Sequence, residues 1–265
     1  MDELLMRRRA AVDIKPKCPS FGGLMIAPGP LIYENGAFCI SPDTYVSSYN
    51  SIYGKNEGST YFSFVELGQY FDSRGSSFGA TDGNINNNGS KISFDGYNDW
   101  RVPTRAELLT ITLGTSPGQS RAGSTVNGDT GAKFVKATIT DKTFMFSNPG
   151  VYGLLLFPDN KTITGYYSGS SSALNNEAYE WKLTFEQLQR FIDQGCVFIP
   201  YIGCKKYTSG WDNGNYLHWL SATSYSNASN GNFYSLYHYY NQFLSMSTTN
   251  RKSSSYLPVY LVRNI

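Results

Sequence analysis

Gly96-Tyr-Asn-Asp-Trp-Arg-Val-Pro-Thr-Arg-Ala-Glu-Leu-Leu109 is the stretch on which the reading of this chain turns. Thr104 and Glu107 stand three residues apart, directly after Pro103. That spacing is a capping box, in which hydroxyl and carboxylate satisfy each other's backbone N–H groups. A helix therefore opens here, with Leu108, Leu109 and Ile111 on its buried face. Pro103 holds the residue before it extended. Trp100 reads as core, and Asp99 as a turn or structural hydrogen-bonding residue.

Two more boxes lie on either side. Ser63 and Glu66 open a helix through Phe64, Val65, Leu67, Tyr70 and Phe71, with Gly75 as its expected stop. Thr184 and Gln187 open another through Phe185, Leu188, Phe191 and Ile192, stopped by Gly195. Asn35-Gly36 between two apolar runs signals a tight hairpin. Strands are expected at 133–139, 142–146 and 153–157, the last central because it is apolar on both faces. Further strands are expected at 196–200, 232–240 and 242–247, and a Pro-interrupted one at 257–262 closes the chain. Residues 79–89 read as a loop without phosphate-binding spacing, 114–130 as a loop, and 210–216 as a turn region. Few helices and many short strands indicate an α+β fold. The expected organisation is an arm at 1–20, a small β segment at 21–58 and one domain at 59–265.

The chain has 265 residues, 40% of them hydrophobic, enough for a real core. Aromatics at 15% against charged residues at 16%, with Gly 26 and Tyr 21, point to many turns and half-exposed strands rather than to a cytosolic enzyme. A net charge of +2 demands neither nucleic acid nor an anionic membrane, and no stretch reaches the length of a membrane span. The basic cluster Arg7, Arg8 and Arg9 is followed by no apolar run, so no secretory signal is expected. That arm reads either as a solvated tail or as one that docks on a larger assembly. Cys18, Cys39, Cys196 and Cys204 form no CxxC pair and read as buried thiols, with a disulfide or soft-metal pair at Cys196 and Cys204 as the alternative. Two histidines, His218 and His238, exclude a three-His zinc site, and neither HExxH nor a Gly-x-Ser-x-Gly elbow occurs. No metal or cofactor is expected.

From Ser221 to Tyr256 the chain is crowded with Ser, Asn and Tyr and holds no Asp or Glu. This is paratope chemistry: Tyr gives rigid contact area, and Ser and Asn give adaptable hydrogen bonds. The candidate ligand-contacting residues are Tyr225, Asn227, Asn230, Asn232, Tyr234, Tyr237, His238, Tyr239, Tyr240, Asn241, Ser245, Ser247 and Asn250. The blander alternative is a β-rich surface of solvated tyrosines.

Four segments in order carry a resemblance: the stretch 96–108 quoted above, Gly195-Cys-Val-Phe-Ile-Pro200, Trp219-Leu-Ser-Ala-Thr223 and Pro258-Val-Tyr-Leu-Val-Arg263. Together they resemble the C-type-lectin-like variable proteins of diversity-generating retroelements, in the formylglycine-generating-enzyme-like branch of that fold. The resemblance covers roughly residues 60–265, and Trp-Arg-Val-Pro-Thr is its most specific part. It implies a C-type lectin-like fold with few helices, short antiparallel strands and long irregular loops. It also implies a variable region, at 217–265, rewritten by adenine-directed mutagenesis of Asn codons. Gln242 and Met246 cannot arise from an Asn codon and would be framework or come from other adenine-containing codons.

The implied function is non-enzymatic binding of a host cell-surface receptor, protein or glycan, by a bacteriophage tail held through the N-terminal arm. A homo-oligomer, possibly a trimer, is expected by analogy. The expected location is the virion, with the bacterial cell surface as alternative. The rival readings are a structural tail or adhesion protein, and an oxidase of the formylglycine-generating type. That oxidase would need Cys196 and Cys204 to bind copper, whereas Cys196 lies in an apolar run where an inert thiol is expected. Calcium-dependent sugar binding lacks its Glu-Pro-Asn signature.

Overall fold

Each of the three capping boxes opens a helix. In the computed structural model, which describes residues 19–40, 60–112, 123–126, 129–143, 149–165, 180–206, 210–212, 216–228, 231–239 and 244–265, Ser63 and Glu66 cap α1 (Phe64–Phe71). The Ser63 N–H donates to Glu66 Oε2 at 2.8 Å and the Glu66 N–H to Ser63 Oγ at 3.2 Å. Thr104 and Glu107 do the same for α2 (Arg105–Thr112), at 2.8 and 3.3 Å. Thr184 and Gln187 do so for α3 (Phe185–Asp193), at 2.8 and 3.2 Å. Removing such a cap typically costs about 1 kcal/mol.

Helix α1 stops at Phe71, four residues before the Gly75 expected to end it. Asp72 turns extended there, and its carboxylate accepts from the Arg74 and Asn86 N–H groups and from the Arg74 guanidinium. That local alternative outcompetes another helical turn. Gly68, mid-helix, is there for space: a Cβ would stand 2.2 Å from the Phe78 ring.

Strands make up 46% of the described residues, and three short helices stand among them, which is the α+β class the sequence indicates. At the N-terminal side β1 (Leu24–Ile26) precedes the hairpin of β2 (Leu31–Glu34) and β3 (Ala37–Ile40). Its two-residue turn holds Asn35 at φ 52° and Gly36 at φ 81°, the left-handed pair that a type I′ turn requires. A second hairpin, β4 (Ile92–Phe94) and β5 (Tyr97–Trp100), turns on Asp95-Gly96 in the same way. Next come β6 (Ser124–Val126), β7 (Asp129–Ala132), β8 (Phe134–Thr143), β9 (Pro149–Leu156), β10 (Thr162–Ile163), β11 (Glu180–Leu183) and β12 (Val197–Pro200). The order β11-β8-β9-β12 makes a four-stranded sheet.

The run Leu154-Leu-Leu156 is indeed central: Leu154 and Leu156 face one core cluster and Leu155 another. Two expectations fail here. Segment 133–139 and the first residues of 142–146 fall in a single ten-residue strand, β8, with 144–146 outside the described residues, and the pairs β8–β11 and β6–β10 are parallel, so the sheets are not uniformly antiparallel. The loop expected at 114–130 contains β6 and the start of β7, because Val126 and Ala132 are buried against the same cluster as Leu155.

The remaining strands are β13 (Cys204–Lys206), β14 (Gly210–Asp212), β15 (Tyr216–Ser224), β16 (Asn232–Tyr239), β17 (Ser245–Arg251) and β18 (Val262–Asn264). The turn region expected at 210–216 therefore holds β14, paired with β13. The expected closing strand is broken up: 262–264 pair with β1 and Leu257 bridges Phe62, while Val259 and Leu261 accept hydrogen bonds from the Leu31 and Ala27 N–H groups. The described part of the 21–58 segment is thus stitched into the body. Of the arm, only residues 19 and 20 lie within the described residues.

The 96–109 stretch ties these parts together. Arg101 forms a two-way backbone bridge to Val262 at 2.9 Å, and the Asn87 amide clamps both backbone groups of Val102 at 3.0 and 3.1 Å. Pro103 O accepts from the Ala222 N–H at 2.7 Å. Trp100 is core, as expected, and Asp99 pairs with Arg263 at 2.6 Å, whose guanidinium lies 3.8 Å from the Tyr97 ring centroid. The Arg263 hydrogen bond holds the Asp99 carboxyl below its ordinary range.

The Arg74 guanidinium, with the Asn86 and Arg74 N–H groups, holds the Asp72 carboxyl well below the usual carboxylate range. The folded state therefore binds that proton less readily than the unfolded chain. Its stabilisation is full above about pH 4 and is lost as the pH falls through the native value. Asp72→Asn is expected to destabilise the protein by about 2 kcal/mol at pH 7. The wild-type-to-variant difference in urea midpoint should narrow as the pH is lowered from 7 to 2; a constant difference would contradict the assignment.

Candidate functional site

Strands β15, β16 and β17 form an antiparallel sheet with β16 in the centre. Cross-strand register sorts its side chains by face. Leu217 opposite His238 and Trp219 opposite Leu236 look inward. With Leu244 and half-buried Met246 they pack on Leu108 and Ile111 of α2, and the Trp219 indole N–H donates to Tyr260 O at 2.8 Å. His218 opposite Tyr237 and Leu220 opposite Ser235 look the other way. On that face Ser235 and Asn250 are buried, and the Asn250 Nδ2 donates to Ser235 Oγ at 2.8 Å. The rings of Tyr216, His218 and Tyr237 lie against one another, with centroids 4.9 Å apart for His218 and Tyr237.

Tyr234 is the one residue of β16 with no register partner on either neighbour. The pairing shifts between Leu220 and Ser224 on β15, and between Phe233 and Ser235 against β17. Such irregularities re-aim a side chain. Here the ring reaches the sheet's edge, where Tyr225 meets it edge-on at 5.4 Å and the Arg105 guanidinium stands 5.0 Å from its centroid. Tyr225 is 55% exposed, and Tyr33, at 40%, is the only other exposed aromatic among the described residues. Arg105, Tyr234 and Tyr225 thus form a cation–aromatic–aromatic ladder at the surface.

The loop carrying Tyr225 is held from several directions. The Tyr225 and Ser226 N–H groups donate to Asn232 O at 2.8 and 3.1 Å, and the Ser224 N–H donates to Asn84 Oδ1 at 2.9 Å. Asn227 Oδ1 accepts from Ser224 Oγ at 2.9 Å and from Lys252 Nζ at 3.2 Å. Lys252 is fully buried, also donates to Asp82 O, and stands 5.4 Å from the Phe64 ring centroid. Burial pushes its ammonium down to about 8.

The candidate residues therefore divide. Tyr225 is exposed and Tyr234 half-buried in the ladder; Tyr237 is half-buried in the other aromatic group; Ser245 is exposed and Ser247 half-buried on the sheet's edge strand. Two calls are corrected. His238 is 1% exposed, its Nδ1 against the Tyr201 hydroxyl, because beyond the irregularity at Tyr234 the register turns both Leu236 and His238 inward. Asn250 is also 1% exposed, under the sheet's polar face. Neither reaches a ligand. Asn227 keeps an exposed position but uses its carbonyl oxygen internally, and the Asn232 amide donates to Thr248 O at 2.9 Å, bracing β17 beside its irregularity. Asn230, Tyr240, Asn241 and the Tyr239 side chain lie outside the described residues.

Arg105 was missed by the sequence reading. It stands at the first position of a helix, where a positive charge opposes the helix dipole. A locally unfavourable choice of that kind marks a residue with another task. Among the described residues no group of three or more His, Cys, Asp and Glu side chains converges. Cys196 and Cys204 are buried thiols in different core clusters rather than a disulfide pair. No helix among the described residues is long and apolar enough to cross a membrane. Comparison of the chain with family models, with curated proteins and with solved structures finds no match in any of the three.

Lys252 has a lower pKa folded than unfolded, so between about pH 8 and about pH 10.5 the unfolded chain binds the extra proton. Its contribution to stability therefore rises across that window. Lys252→Met should remove that rise, read as the pH dependence of the difference in denaturation midpoint between variant and wild type. An unchanged pH dependence would contradict a buried ammonium at this position.

Proposed function

We propose that the chain is a receptor-binding protein that presents the Arg105, Tyr234 and Tyr225 ladder on a C-type lectin-like frame. The carrying observation is the pair of register shifts around Tyr234. They free one aromatic from an otherwise regular sheet and place it beside an exposed tyrosine and an arginine, the residue types that dominate binding surfaces. A loop braced by Asn84, Asn232 and Lys252 supports the same reading, because a held side chain loses little entropy on binding. The few helices, the predominance of short antiparallel strands and the long connections fit the lectin-like architecture.

In this reading the protein sits at a phage tail, attached through residues 1–20. It contacts a host surface protein or glycan with the ladder and with exposed Ser245 of β17, as an oligomer whose multiplicity raises avidity. Retroelement-driven change would be confined to positions whose side chains leave the frame.

Two measurements test it. Tyr225→Ala with Tyr234→Ala should lower binding of the immobilised protein to a bacterial envelope fraction by at least about tenfold, with an unchanged melting temperature. Equal retention of wild type and variant would sink the assignment. Sibling copies of the gene should differ at Tyr225, Tyr234, Tyr237 and Ser245 while keeping Trp219, Ser235, Leu236, His238 and Asn250. A 217–265 region identical among siblings would remove the diversified surface.

A further inference from the structure

Away from the C-terminal sheet, the β2–β3 hairpin and α1 enclose a groove of about 400 Å³, within the size range of small-ligand clefts. Tyr33, Phe38, Phe62, Glu66, Gln69 and Tyr70 line it. Phe38 is the hub: its centroid lies 5.0 Å from Tyr33, 5.2 Å from Phe62 and 4.5 Å from Tyr70, with interplanar angles of 64°, 53° and 51°. Rings tilted this far from one another make a concave wall. A sugar ring stacks best on a flat platform, whereas a rounded group fits a concavity.

The polar complement decides the charge. Glu66 Oε2 is taken up by the capping contacts from Ser63, and the Gln69 amide nitrogen donates to Phe78 O at 3.3 Å. The Tyr70 hydroxyl donates to Lys91 O at 3.3 Å. Among the described residues, Glu66 Oε1 and Gln69 Oε1 have no partner, and both are acceptors. Among the described residues, no lysine or arginine lines the groove. An anion would meet a carboxylate there without a donor, while a cation meets aromatic faces and negative oxygen together. We propose that this groove binds a methylated ammonium group, held on the faces of Tyr33, Phe38 and Tyr70 with Glu66 as counter-charge.

The test titrates choline into the full chain by following its trimethylammonium proton signal. The neutral isostere 3,3-dimethylbutan-1-ol serves as control. Choline is expected to bind about tenfold more tightly than the alcohol. Tyr33→Ala, at an exposed position, should weaken choline binding several-fold. Glu66→Gln should bring choline to the level of the alcohol while leaving α1 intact, because Gln also completes a capping box. Tyr225→Ala should change nothing here, which separates this groove from the receptor surface. Choline displayed on beads, compared with free choline, tells whether the group is taken from a surface or from solution; binding in either form supports the site. Equal affinity for choline and the alcohol, no binding of choline, or preference for methyl glucoside would each overturn it.

Discussion

An extended segment driven through the middle of a protein must find partners for every backbone N–H and C=O, since an unpaired buried group costs about as much as a lost hydrogen bond. Residues 100–104 are that segment. Each solution ties a remote part of the chain to the same place: Arg101 to Val262 of the last strand, Val102 to the Asn87 side chain in the loop after α1, Pro103 to Ala222 in β15. The Arg101 side chain then reaches Glu107 at 2.6 and 2.8 Å and Asn264 at 2.8 Å. Burial pushes the Glu107 carboxyl up, but Arg101 and the Thr104 N–H outweigh it and hold it below its ordinary value. One short sequence thereby fixes the start of α2, and with it where Arg105 stands.

The site inherits its geometry from that anchoring. Arg105 is placed by α2, whose first backbone N–H donates to Thr223 Oγ1 at 2.9 Å, and α2 packs across the inward face of β15 and β16. Tyr234 is placed by the same sheet. The distance between guanidinium and ring is therefore set by a helix and a strand rather than by two loops, which is the arrangement that holds a contact surface rigid. Only Tyr225 comes from a loop, and that loop is braced from three sides.

Local signals were legible where local physics decides. Three capping boxes, the Asn35-Gly36 turn and the apolar run 154–156 each act within a few residues, and each is found where its residues point. Asp95-Gly96 carries the same turn signal as Asn35-Gly36 and was equally readable. What the residues could not reveal is anything decided at long range. The parallel pairing of β8 with β11 depends on a connection of more than thirty residues, and the early end of α1 depends on Asn86 coming back to Asp72. The candidate site was half legible for the same reason. Composition singled out the Tyr, Ser and Asn residues, but the alternation that hides His238 and leaves Tyr237 half-buried becomes readable only once the register is known.

Register is itself a problem for such a sheet. Strands rich in Ser, Asn and Tyr lack the apolar-in, polar-out contrast that normally penalises a slip, so something else must specify the pairing. On the inward face Trp219, Leu236 and Met246 supply it across all three strands. On the other face buried Leu220 and Phe233 are joined by a polar pair: Asn250 and Ser235, both buried, link β17 to β16 by a hydrogen bond that a shift of one residue would break, leaving two desolvated groups unsatisfied. The buried amide of Asn250, which composition assigned to ligand contact, therefore keeps the sheet in register together with the Ser235 hydroxyl. Loss of either would disturb the frame on which Tyr225 and Tyr234 stand.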